Sequence, residues 1–254
     1  QGQTLDDVKD LFLAEIEKLK KGEFDEGLLE AAINNYKLMQ MHRIDDNDGR
    51  ADMFVSSFID GVDWKDEVAS LDRMSKVTKQ QIVDFANKYF GDNYALIYKK
   101  QGKDPNEKKI DKPKITPIVM NRDSSSMFLK EIQASKVAPI EPVFLDYDKD
   151  LQKLTAKSGI PVLYKENTSN DIFSLMYVFD MGTNNDKAMG TAFQYMKYLG
   201  TSKKSLQEIN EEFYRLACYF DVVPGSDRTY VVLEGLKENM PAAMALFEEI
   251  LADA

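Results

Sequence analysis

A hydrolytic metal centre needs three protein ligands and one open position, drawn from histidine, cysteine and carboxylate side chains. This sequence holds one histidine, His42, and one cysteine, Cys218, far apart along the chain, so composition weighs against an autonomous zinc site. His42 follows Met39, Gln40 and Met41 where a helix is expected to end, and a basic residue there interacts favourably with the last carbonyls. Cys218 lies in the apolar run 216–223 and reads as a buried, unreactive thiol; without a second cysteine no internal disulfide forms. Asp45-Asp46-Asn47-Asp48-Gly49 invites a calcium reading. An EF-hand loop with Gly49 at its sixth place needs an acid where Ile44 stands and a bidentate glutamate where Val55 stands, so a polar turn capping the helix after Gly49 is expected instead. Neither a G-x-S-x-G elbow nor a glycine-rich phosphate loop occurs. The apolar run Ile172–Phe179 could offer a strand edge to an extended peptide, set against its plainer reading as core.

The 254 residues suffice for one large domain or two modest ones, and 43% apolar with 30% charged side chains is ordinary for a globular protein. Forty-three acidic against 33 basic side chains give a net charge of -10, which repels nucleic acid and anionic membrane; both are set aside as partners. The longest apolar stretch, Ile172–Phe179, is interrupted by Ser174 and falls far short of the roughly 20 residues that span a bilayer. The sequence opens on Gln1 with no signal-peptide pattern, so a processed product or an excerpt is expected, and the compartment stays open.

Residues 1–102 read as helices followed by one strand. Thr4 with Asp7 forms a capping box ahead of Leu5, Val8, Phe12, Ile16 and Leu19 at helical spacing, and Gly22 closes that helix. A second helix follows Asp25, and short helices carry Phe54, Val55 and Phe58, then Trp64, Val68 and Leu71. Thr78 with Gln81 caps a further helix, and 94–99 reads as a strand. One strand makes no sheet, so partner strands are expected before Gln1. Residues 103–145 hold Pro105, Pro113, Pro117, Pro139 and Pro142, with lysines concentrated in 99–114 and a Ser124-Ser125-Ser126 tract; they read as an extended linker with at most local structure. Within 146–254, strands are expected at 159–165 and 172–179, a turn at 182–186, and helices at 188–199 and, capped by Ser205 with Glu208, at 206–216. Strands at 219–223 and 229–233 flank a Pro224-Gly225-Ser226-Asp227 turn, and 240–251 is a last helix. The fold class is α+β: two partial α/β sandwich domains, each a sheet with helices on one face, joined by the linker.

The order Gly159-Ile160-Pro161-Val162-Leu163-Tyr164, Ile172 to Gly182, then the helix from Gly190 to Gly200-Thr201 resembles the opening of a domain of the insulinase/pitrilysin (inverzincin) zinc metallopeptidases, whose ligand helix carries His-x-x-Glu-His. In that family's register Thr191 and Tyr195 stand where the histidine ligands would be and Gln194 where the general-base glutamate would be. None can serve, because a primary amide takes no proton from bound water. Residues 1–102 are similar to the end of another such domain. The resemblance implies a segment spanning the end of a first half, a linker and the start of a zinc-less second half. It implies a parent that hydrolyses peptides with zinc bound before Gln1, and a non-catalytic role here in walling the substrate chamber. No catalytic or metal-ligating residue is assigned in this segment, no cofactor is expected in it, and substrate-binding residues stay open. Expected partners are the remainder of the parent chain or a companion subunit, and a peptide substrate. The alternative is a structural or interaction protein on the same fold without peptidase activity; an intact His-x-x-Glu-His upstream separates the two.

Overall fold

The computed structural model describes residues 2–103, 110–120 and 122–253; Pro105 of the expected linker lies outside them. Helices α1 (Leu5–Lys21), α2 (Gly27–Asp45), α3 (Asn47–Asp60), α4 (Trp64–Val68), α5 (Ser70–Met74), α6 (Lys79–Tyr89) and α7 (Met127–Ala134) come first. Strands β1 (Gln152–Thr155), β2 (Pro161–Tyr164) and β3 (Ile172–Phe179) follow, then α8 (Met189–Met196), α9 (Leu206–Leu216), β4 (Cys218–Pro224), β5 (Thr229–Leu236) and α10 (Met240–Asp253). The class is α+β, and every strand pairing is antiparallel. Residues 1–96 with 166–254 form one compact unit, and 97–165 another.

Local chemistry sets the helix starts. Thr4 Oγ1 accepts from the Asp7 N–H at 3.1 Å while the Asp7 carboxylate accepts from the Thr4 N–H at 2.8 Å. The same reciprocal pair opens α6 (Thr78 with Gln81) and α9 (Ser205 with Glu208), satisfying amides that have no partner inside a helix. In the larger unit α1 runs beside α6, where Asn87 donates to the Lys20 carbonyl at 2.8 Å. Helix α2 packs on α9: Asn35 Nδ2 donates to the Tyr214 carbonyl at 2.6 Å, and Arg215 pairs with Asp25 at 2.6 Å.

The sheet of this unit has the order β3-β5-β4. On one face Phe173, Leu175, Tyr177 and Phe179 of β3, Val231 and Leu233 of β5, and Val222 of β4 pack against Ile209 and Phe213 of α9. Helix α10 adds Ala243, Leu246, Phe247 and Ile250, spaced i, i+3, i+4 and i+7 on its sheet-facing side. Each Val, Leu, Ile or Phe side chain fully taken from water contributes about 1.5–3 kcal/mol, which is why the interior concentrates here. Gly235 lets β4 close on β5, since a Cβ there would meet Cys218 Sγ at 2.4 Å and the Ala217 carbonyl at 2.5 Å.

Two expectations, the strand at 94–99 and the extent of the helix at 188–199, need correction. Residues 94–99 form no strand: among the described residues no strand runs beside them, and an apolar stretch without a ladder is not held as one. Local structure within 103–145 is the short helix α7, which Ser126 of the serine tract caps, its Oγ accepting from the Leu129 N–H at 3.1 Å. The helix expected at 188–199 ends at Met196, where the Tyr198 and Leu199 amides turn to carbonyls three residues back. In the smaller unit β1 and β2 form a hairpin registered Gln152↔Tyr164 to Thr155↔Pro161.

Candidate functional site

Helix α8 is the element the sequence singles out. Its inward residues, Phe193 and Met196, pack on the core beneath the sheet, and the Phe193 ring lies 6.2 Å from that of Phe179. That burial turns the opposite side outward, so Thr191, Gln194 and Tyr195 are all exposed, Tyr195 to 60%. At i, i+3 and i+4 they share one helical face, the geometry a two-ligand-plus-base helix requires. The side chains do not fit zinc: a hydroxyl, an amide and a phenol replace imidazole and carboxylate. Among the described residues no three His, Cys, Asp or Glu side chains group to hold a metal ion.

Gly200-Thr201 lies between α8 and α9, and the glycine there has a local cause. A Cβ on Gly200 would stand 2.5 Å from the Lys204 carbonyl oxygen and 3.2 Å from the Leu206 nitrogen. The Thr201 N–H donates to that same carbonyl at 2.8 Å, and Thr201 Oγ1 accepts from the Lys203 and Lys204 amides at 3.2 and 3.1 Å. Lys204 then reaches Glu212 of α9 at 2.8 Å and Glu249 of α10 at 3.3 Å, and its hydrogen bond to Glu212 raises its ammonium above the ordinary lysine range. Lys197, just past α8, pairs with Asp221 of β4 and holds that carboxyl below its usual range. The ligand-like helix is thus anchored at its core face and at its C-terminal end.

Strand β3 pairs with β5 along one side only, and among the described residues no strand covers its other edge. Alternate side chains divide as a half-buried strand should: Met176 and Val178 are 53% and 51% exposed on the face away from the core. The core reading of Ile172–Phe179 therefore holds on the face that carries Phe173, Leu175, Tyr177 and Phe179. Two surface depressions, of about 390 and 470 Å³, lie along α9 (Leu206, Gln207, Asn210, Glu211, Tyr214) and at the β4–β5 turn (Gly225 to Arg228, Tyr230). Neither is lined by Thr191, Gln194 or Tyr195.

His42 sits in the last turn of α2, yet its Nε2 lies 3.2 Å from Glu234 Oε1 of β5. Tyr219, directly opposite Glu234 in the β4–β5 register, donates its hydroxyl to the same carboxylate at 2.5 Å. Partial burial, then Glu234, pushes the Tyr219 phenol up to about 12, so near neutrality it is a donor and not a nucleophile. This His42–Glu234–Tyr219 cluster was hidden from sequence reasoning, since alternation fixes which side chains share a face but not which strands meet. Cys218 is buried, its Sγ lies 3.3 Å from the Leu216 carbonyl, and desolvation pushes its thiol up to about 11. The Asp45–Gly49 stretch is a capping turn in which Asp46 Oδ1 accepts from the Gly49 N–H at 2.6 Å; α3 begins at Asn47, not after Gly49.

No family model matches this sequence, and no curated protein is similar to it. Solved structures are. A peptidase M16 inactive domain from Pseudomonas fluorescens is 25% identical over 39% of this chain and 26% of its own, with a TM-score of 0.35. The periplasmic protease PqqL from Escherichia coli is 11% identical over 98% of this chain and 30% of its own, at 0.39. The ferredoxin protease FusC, solved in complex with Arabidopsis ferredoxin, is 9% identical over 92% and 29%, at 0.37. The chain spans under a third of the length of each of these proteins.

Proposed function

We propose that this chain is a non-catalytic segment of a zinc-dependent metallopeptidase of the insulinase/pitrilysin type, serving to bind and enclose peptide substrate while another part of the parent protein performs hydrolysis. The observation that carries this reading is α8: an exposed face with the i, i+3, i+4 spacing of a ligand helix, closed by Gly200-Thr201, whose three side chains cannot hold the metal. A helix, turn and sheet without metal ligands can serve as a wall, and the open edge of β3 supplies backbone donors and acceptors to which an extended peptide can add. The division into a terminal part of one domain at 1–102, a linker at 103–145 and the opening of a second, degenerate domain at 146–254 belongs to the same proposal. Zinc is assigned to the parent and not to these residues. Elemental analysis of the purified chain after dialysis against zinc, with a chelator-controlled peptide cleavage assay, tests the reading. Substoichiometric zinc and no cleavage are expected; one zinc per chain with chelator-sensitive cleavage overturns it.

A further inference from the structure

The chain's charge is not spread evenly. Between Asp45 and Asp72 nine acidic side chains accompany two basic ones, Arg50 and Lys65, so this stretch carries -7 of the total net charge of -10. Both cations are engaged locally: Arg50 donates to the Ile44 carbonyl at 2.6 Å, and Lys65 pairs with Asp63 at 3.5 Å. Amid these acids α3 turns Met53 and Ser57 inward and presents an apolar face to solvent, Phe54 with Phe58 and Val55 with Ile59 at i, i+4 spacing. Phe58 is 87% exposed and Ile59 73%. Trp64, the single tryptophan, extends the face from α4 by stacking on Phe54 with ring centroids 4.2 Å apart. Asp48 and Asp52 continue the Val55–Ile59 row along the helix, and Asp60 and Asp66 lie beyond it.

Contiguous exposed aromatic and β-branched side chains among carboxylates mark a surface for another molecule, since solvation alone favours polar groups there. The complement of that surface is fixed by both of its chemistries. Apolar side chains must fill the groove between the two i, i+4 rows, and ammonium or guanidinium groups must meet the rim. We propose that the α3–α4 face docks a basic amphipathic helix, with apolar anchors on one side and Lys or Arg flanking them. This surface lies outside the α8 helix and the β3 edge, so the proposal stands whether or not the chain belongs to a peptidase.

Trp64 reports occupancy directly. The 254-residue chain is titrated with a Leu/Lys peptide patterned as an amphipathic helix, with two controls: the same composition in scrambled order, and a Leu/Glu peptide of identical pattern. Expected is a saturable blue shift of Trp64 emission with the Leu/Lys peptide alone. Binding should weaken about tenfold in Phe58→Ser and, independently, in Ile59→Ser, and should fall with added salt, less steeply in Asp52→Asn/Asp60→Asn. Both apolar positions are exposed, so far-UV circular dichroism of each variant should match the parent chain. An unshifted emission, an equal response to the scrambled or Leu/Glu peptide, or an undiminished shift in both serine variants overturns the proposal. So does a concentration-dependent shift of the chain alone with a sedimenting dimer, which makes a second copy the occupant.

Discussion

Replacing Gly200 by alanine should destabilise the larger unit even though the position lies in a surface turn. The added Cβ would stand 2.5 Å from the Lys204 carbonyl oxygen and 3.2 Å from the Leu206 nitrogen, and both are backbone atoms that no rotamer change can move aside. The turn must open, and the Lys204 carbonyl is the acceptor for the Thr201 N–H at 2.8 Å. Opening also strains the Thr201 Oγ1 contacts to the Lys203 and Lys204 amides. One to two hydrogen bonds at about 0.5–1.5 kcal/mol each, with about the same again for the displaced α9 cap at Ser205, are offset by about 0.4–1 kcal/mol from the stiffer unfolded chain. At the middle of these ranges a net loss of about 2 kcal/mol follows. Urea unfolding monitored by far-UV circular dichroism should show a midpoint lower by about 1 M at unchanged slope. An unfolding free energy within about 0.5 kcal/mol of the parent chain would refute the claim that this turn is held by close backbone approach.

The Cys218 thiol should resist a thiol reagent near neutral pH and react on unfolding, since burial pushes it up to about 11 from 9.0. Because the folded chain then keeps a proton that the unfolded chain releases, this contribution to stability is complete below pH 9 and is lost as pH rises toward 11. The loss is about 2–3 kcal/mol and should be absent in Cys218→Ala. Limited trypsin digestion should cut first within 103–145, where Ile140 and Val143 are 94% and 96% exposed and little apolar burial offsets the entropy of ordering; first cuts within 188–216 would contradict the proposed boundary.

The helix starts at Thr4, Thr78 and Ser205 were legible because a capping box is written within four residues and needs no distant partner. Strand β3 was legible to the residue, as its apolar run is bounded by turn-forming side chains. What failed was long-range. The apolar run at 94–99 carries the same local signal as β3 but has no ladder partner among the described residues. The meeting of His42, Glu234 and Tyr219 depends on a register and a helix docking that no local pattern encodes. Of the candidate site, the chemical incapacity of Thr191, Gln194 and Tyr195 could be read from residue types alone. Their common exposure required knowing that Phe193 and Met196 turn inward.

The most direct measurement is to install the missing chemistry on α8. Thr191→His, Gln194→Glu and Tyr195→His together place two imidazoles and a carboxylate on the exposed i, i+3, i+4 face, while Phe193, Met196 and Gly200 keep the helix anchored. Two imidazoles alone fall short of the three ligands that a catalytic zinc site requires. The triple variant should therefore bind zinc weakly by titration calorimetry and leave an unstructured peptide intact at saturating metal. Zinc-dependent, chelator-reversible cleavage by that variant would show a third ligand already in place, and would contradict the reading of this chain as a binding segment without a catalytic site.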